Sequence, residues 1–150
     1  MRVADGFTLI EALLVVATSV ALAGVAVPIL AGAIGRYYIL SAGQQVASTI
    51  RAARFQAVAR NSNVRIRLDS PDAGQYQSEI EDPDTMTWGA LGEVQYLPTG
   101  ITFADDFDDI EIEPTGRAPD CAPCTIVVTN GDEEDDRTIT ISTSGRVRLQ

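Results

Sequence analysis

The stretch "GFTLIEALLVVATSVALAGVAVPILAGAI", residues 6–34, decides how the rest of the chain is read. Residues 12–34 form a run of 23 without a single charge. As an α-helix rising about 1.5 Å per residue, that run reaches roughly 35 Å. A bilayer's hydrocarbon core is about 30 Å thick, so the run can cross it with some tilt. One carboxylate, Glu11, stands at its head. An ionised group below a membrane surface is costly unless something pairs with it, so its position asks for a physical reason.

Two plain readings of this stretch are a simple anchor, with Glu11 at the membrane edge, and a cleaved secretory signal. For the signal, Arg2 would be the basic start and "ALA" at residues 21–23 the small-residue cut site. The apolar run does not stop there, however, but continues to Ile34. Pro28 has no amide hydrogen, and its ring crowds the carbonyl of Gly24 four residues back. With Gly32 and Gly35 close by, residues 24–35 are expected to bend or loosen easily. Arg36, Tyr37 and Tyr38 then suit the far membrane interface, where amphipathic rings and a snorkelling cation are at home.

Composition narrows the function classes. The 150 residues carry a net charge of −10, and beyond residue 35 there are 19 acids against 10 arginines. That balance disfavours non-specific attraction to nucleic acid or anionic lipid. There is no histidine and no lysine. A Ser–His–Asp or Cys–His pair, a Walker-type phosphate loop and a lysine Schiff base are therefore excluded. A carboxylate pair remains available for acid–base work. The expectation is a protein that is not an enzyme and uses no cofactor and no metal.

Past the apolar stretch, helical spacing continues through "SAGQQVASTIRAARFQAVARNSN". Val46, Ile50, Ala53 and Ala57 form one apolar stripe, and Asn61 to Asn63 offer a stop. A helix over residues 7–60 would be about 80 Å long, hydrophobic all round in its first half and amphipathic in its second. Beyond Asn63 the period becomes two. Val64, Ile66 and Leu68 alternate with arginines, Ile110 and Ile112 with glutamates, Ile139 and Ile141 with threonines, and Val147 and Leu149 with arginines. Weaker strands are expected at residues 76–80, 93–97 and 125–129. Turn-rich stretches such as "DSPDAG", "LPTG" and "TNGDEEDD" separate them. Short alternating strands with short connections predict an antiparallel sheet with one face covered by the helix stripe. The fold class is α+β.

The unit "GFTLIEALLVV" resembles the processing site of type IV pilins and type II secretion pseudopilins. In that family a membrane peptidase cuts after the glycine and methylates the new terminal phenylalanine, so the resemblance implies cleavage between Gly6 and Phe7. The apolar helix, including Pro28, stays in the mature protein. The leader "MRVADG" departs from the pattern in having one basic residue and an acid, Asp5. The resemblance also implies a role for Glu11 in assembly. It would neutralise the Phe7 amine of a neighbouring subunit, relieving two desolvation penalties with one contact. "VASTIRAARFQAVARNSNVRI" and "CTIVVTNGDEEDDRTITISTSGRVRLQ" look like the corresponding blocks of the GspH/FimT group, minor pseudopilins or minor pilins.

This likeness implies a pilin-like layout: a leader at 1–6, a transmembrane helix at 7–35 and a periplasmic head at 36–150. The protein would pass once through the bacterial inner membrane, with the prepilin peptidase, the major and other minor pseudopilins and an inner-membrane assembly platform as partners. Its function would be that of a minor pseudopilin near the tip of a type II secretion pseudopilus, or else of a type IV minor pilin for pilus assembly or DNA uptake.

With the head outside the cytoplasm, Cys121 and Cys124 in "CAPC" are candidates for a disulfide staple. A redox site lacks its usual βαβ setting, and a zinc site would be half filled. The acids at Asp105, Asp106, Asp108, Asp109 and 132–136 read as solvated loops, with calcium as the alternative. Arg146 and Arg148 in "GRVR" read as exposed strand arginines. The resemblance offers DNA contact as their alternative, opposed by the acidic domain around them.

Overall fold

Helix α1 (Leu9–Arg60) opens a computed structural model that describes residues 8–104, 109–131 and 135–150, the side chains of Pro28 and Ala31 excepted. The fold divides after Gly35 into two units. In the first, helical backbone runs without interruption through positions 24, 28, 32 and 35. Every side chain described from Leu9 to Ile34 faces outward, and α1 is the one helix among the described residues long and apolar enough to cross a membrane. Its hydroxyls do not break that character. Thr18 donates to the carbonyls of Leu14 and Val15 at 3.0 Å, and Ser19 to that of Val15 at 2.8 Å. The helix thereby satisfies its own polar groups, as lipid requires.

In the second unit the same helix becomes one-sided. Ile39, Ala42, Val46, Ile50, Ala53 and Ala57 are buried at steps of three and four. The stripe includes the four residues singled out by spacing and extends about two turns earlier, to Ile39. Small residues on it allow close approach: a Cβ on Gly43 would press on Leu149 and Arg137. The helix ends where Asn61 takes a left-handed conformation (φ 52°) and the amide of Ser62 donates to the carbonyl of Ala57 at 3.3 Å.

Among the described residues nine strands follow: β1 (Val64–Leu68), β2 (Gln75–Asp82), β3 (Thr87–Ala90), β4 (Gln95–Tyr96), β5 (Thr102–Phe103), β6 (Asp109–Ile112), β7 (Cys124–Thr129), β8 (Arg137–Ile141) and β9 (Val147–Leu149). They form two antiparallel sheets, not one. The first has the order β3-β2-β1-β6 with β4 also on β2; the second has the order β5-β7-β8-β9. Alternation fixes which residues face inward but not which strands are neighbours, and the expectation of a single sheet failed on that point. In β1, Val64 and Ile66 point into the core beside Ile112 and Ile110 of β6, while Arg65 and Arg67 point out. Ile126, Ile139 and Leu149 face one another across β7, β8 and β9. The sheets meet where the buried Tyr76 of β2 sits edge-on to Phe103 of β5, ring centres 6.1 Å apart. One hydrophobic cluster joins the helix stripe to both sheets.

A backbone clip holds the start of β9. Gly116 and Gly145 both have positive φ, 76° and 71°. A Cβ on Gly145 would fall on the carbonyl oxygen of Gly116, which accepts a hydrogen bond from Arg54 Nε at 2.9 Å. Steric contact and backbone conformation together demand glycine at 145. Gly145→Ala is expected to destabilise the head by at least about 2 kcal/mol. Thermal unfolding of the full chain in detergent checks this, with Ser144→Ala, on an exposed neighbour, as the unaffected control.

Candidate assembly and processing site

Of the pair expected at the cut, Gly6 and Phe7 lie outside the described residues, as do Asp105, Asp106, Asp108 and the acids at 132–134. The described site begins at Thr8. Its hydroxyl accepts the amide hydrogen of Glu11 (3.3 Å), and its carbonyl accepts those of Glu11 and Ala12 (both 3.1 Å). Thr8 is thus the N-cap of α1, and Thr8-x-x-Glu11 has the sequence of a capping box. The signal was present in the sequence, in the spacing of a threonine and a glutamate before an apolar run, and Thr8 went unremarked.

Position alone gives Glu11 some relief. A carboxylate in the first turn gains about 0.3–1 kcal/mol from the helix dipole, against several kcal/mol for taking an ion out of water. The dipole therefore does not settle the account. Leu9, Ile10, Leu13 and Leu14 around it are exposed and apolar. The next basic residue along α1 is Arg36, about 37 Å away at helical rise. Among the described residues Glu11 makes no ion pair.

In the head, Cys121 and Cys124 are joined by a disulfide with an S–S distance of 2.01 Å. Thr143 donates to the carbonyl of Cys121 (2.7 Å) and Ala118 donates its amide hydrogen to the carbonyl of Thr143 (3.0 Å). The staple is thereby tied to the turn that carries Gly145. Arg146 and Arg148 are both exposed, Arg146 just before β9 and Arg148 within it opposite Thr140. Among the described residues β9 pairs with β8 and ends the second sheet.

The outer face of the first sheet holds a charged network that sequence alternation placed but did not connect. Arg65 contacts Glu79 at 2.6 Å and Asp109 at 3.6 Å, and Arg67 reaches the same two acids at 3.8 and 3.6 Å. The Arg65 guanidinium also lies 4.4 Å above the Trp88 ring. At the edge of this network the Glu111 carboxyl is pushed above its usual range, first by burial and then by the charges of Glu81 and Asp120, with Arg65 opposing. Among the described residues no group of three or more candidate ligands is arranged to hold a metal ion.

Because the folded pKa of Glu111 lies above the unfolded one, folding disfavours its ionised form. The stability this group contributes is full below the unfolded pKa and is lost as pH rises through the folded pKa. Glu111→Gln should therefore stabilise the head near neutral pH, by less than about 1 kcal/mol given the screening of a partly exposed group. The gain should vanish in acid, where Glu111 is protonated in the folded and the unfolded state alike. Thermal melts of both proteins across pH 3–8 (roughly the carboxyl range and above) check it.

A family model described as Type II transport protein GspH matches residues 42–145. No curated protein matches the sequence. Among solved structures, the fold is similar to the type IV minor pilin FimU of Pseudomonas aeruginosa, with a TM-score of 0.64 and 16% identity over 77% of this chain and 90% of that one. It is also similar to the minor pseudopilin EpsH from the Type 2 Secretion System of Vibrio cholerae, with a TM-score of 0.60 and 15% identity over 75% of this chain and 95% of that one.

Proposed function

The chain belongs to the GspH family, and from that membership we propose that it is a minor pseudopilin of a type II secretion system, incorporated near the tip of a periplasmic pseudopilus. At the coarser level it is a minor pseudopilin or minor pilin, a structural subunit with a long apolar helix suited to membrane anchoring. The observation that carries the finer reading is the family's own description as a type II transport protein, over a head that shares α1 with the apolar span and its first-turn acid.

On this reading the protein crosses the bacterial inner membrane once, with its head in the periplasm. The prepilin peptidase cuts between Gly6 and Phe7 and methylates Phe7, leaving a cationic amine at membrane depth. Glu11 of one subunit then meets the Phe7 amine of the next, and each removes the other's desolvation penalty. Pro28, with the glycines beside it, lets the helix loosen as subunits pack. The major and other minor pseudopilins and an inner-membrane assembly platform are the partners. The chain lacks the lysine of a phosphate-binding loop, so the driving force falls to a separate cytoplasmic ATPase.

A second reading, a type IV minor pilin acting in pilus assembly or DNA uptake, is favoured by the exposed Arg146 and Arg148 at the end of the second sheet. Deleting the gene and measuring both exoprotein release and transformation separates the two. Loss of release is expected, and loss of transformation alone would reject the first reading.

Amino-terminal sequencing of the mature protein should begin at methylated Phe7; a start at Met1 or Gly24 would overturn the processing site. Glu11→Ala should leave that start unchanged while lowering incorporation into filaments at least tenfold or so, the order expected when one charge of a buried pair is left alone. Comparing sheared filaments with the membrane fraction reads both effects.

A further inference from the structure

Charge in the second unit is divided between two surfaces. Residues 36–60 carry four arginines and no acid, whereas residues 61–150 carry 19 acids against six arginines. Three of the helix arginines are engaged within the chain. Arg36 pairs with Asp135 at 3.3 Å, Arg54 donates to the Gly116 carbonyl, and Arg60 donates to Gln56 at 3.0 Å. Arg51 is exposed and has no hydrogen bond or ion pair among the described residues. On the same helix face Phe55 is 70% exposed and Val58 53% exposed. With Arg54 these residues line a shallow depression of about 330 Å³. An aromatic ring and an uncompensated guanidinium side by side have the composition of an interface core.

The surface that matches it lies on the first sheet and the loops beyond it. Strand β1 lies between β2 and β6, so Glu81, whose amide donates to the carbonyl of Asn63 at 2.9 Å, stands across from Glu111 and Glu113 at the same end of the sheet; burial first, and then the charges of Glu81, Asp120 and Glu113, raise the Glu111 carboxyl. Arg65, the cation nearest to Glu111, is already held by Glu79 and Asp109. Among the described residues no arginine of α1 forms an ion pair with any of the four acids. Among the described residues one chain therefore carries a cationic, aromatic face and, on different elements, an acidic face with no ion pair, where Glu81 and Glu113 accept hydrogen bonds only from the neutral side chains of Asn63 (2.8 Å) and Thr115 (3.1 Å).

We propose that the α1 face of Arg51, Phe55 and Val58 docks on the Glu81, Glu111, Glu113 and Asp120 surface of a second copy of this chain. The two faces differ, so the contact is heterologous and repeats from copy to copy, giving a ring or an open helical array. It goes beyond the filament reading and does not depend on cleavage at Phe7. The net negative charge of each head does not forbid it. At physiological salt the screening length is about 8 Å, so facing charges attract while distant ones are largely screened.

The test uses the full chain in liposomes of neutral lipid, with a photo-cross-linking amino acid replacing Phe55. A cross-linked homodimer is expected, with the link mapped to the neighbour's residues 79–82 or 111–120. Arg51→Glu should lower its yield roughly threefold to tenfold, the range for one exposed charge pair reversed. Mixing that variant with Asp120→Arg chains should restore it, and an unchanged melting temperature will show that each variant is folded. Four outcomes would overturn the proposal: no homodimer, a link from position 55 to the neighbour's own α1, a yield indifferent to Arg51→Glu, or, in native membranes, capture of a different protein alone. A mature terminus at Phe7 alongside any of these would leave the pilin-like reading intact.

Discussion

A carboxylate cannot rest unpaired among leucines in oil, and on the proposed reading the arrangement of the mature protein follows from that constraint. Glu11 sits in the first turn of α1 with apolar neighbours, and no cation on its helix is nearer than Arg36. The helix dipole and the Thr8 cap supply part of what it needs, about 1 kcal/mol at most. The remainder has to be a positive charge brought to the same depth. A freshly cut amino terminus at Phe7 is such a charge, and its own cost of burial is relieved by the same contact. A subunit alone in the membrane keeps both penalties, so the pair favours assembly over solitude and fixes the axial register between subunits.

The second constraint is that one helix serves two solvents. Its first half is apolar on every side, as suits a membrane anchor, and turns its threonine and serine hydroxyls back onto its own carbonyls. Its second half buries a stripe of alanine, valine and isoleucine against two sheets and leaves arginines outside. Small side chains on the inward stripe let strands approach closely, and at Gly43 an added Cβ would press on Arg137 of β8 and Leu149 of β9. What remains outside, Arg51 with Phe55 and Val58, is exposed, and Arg51 has no ion pair among the described residues.

Much of this was legible in residue order. The uncharged run after Glu11 announced a long apolar helix, and the steps from Val46 to Ala57 named the buried stripe. Period-two alternation at 64–68, 110–112, 139–141 and 147–149 found strands that the structure contains. Strands β3 and β5 were missed for physical reasons. Thr87–Ala90 has a glycine and only one large apolar side chain inside four residues, and Thr102–Phe103 is too short to alternate. The division into two sheets was invisible because pairing is a long-range choice, made through contacts such as Tyr76 on Phe103. The glycine clip at 116 and 145 was likewise hidden, since the two residues lie far apart in the chain and meet only through the fold. The processing pair and the lipid-depth charge were readable only by resemblance.

Zero-length carbodiimide cross-linking of filaments tests the charge pairing most directly, because it joins a carboxylate to an amine only where the two are already in contact. The account predicts an amide between Glu11 of one subunit and the amino-terminal phenylalanine nitrogen of its neighbour, recovered as a linked peptide pair by mass spectrometry and absent from unassembled protein in detergent. Filaments in which Glu11 stays unlinked, or links only to the terminus of its own chain, would contradict it.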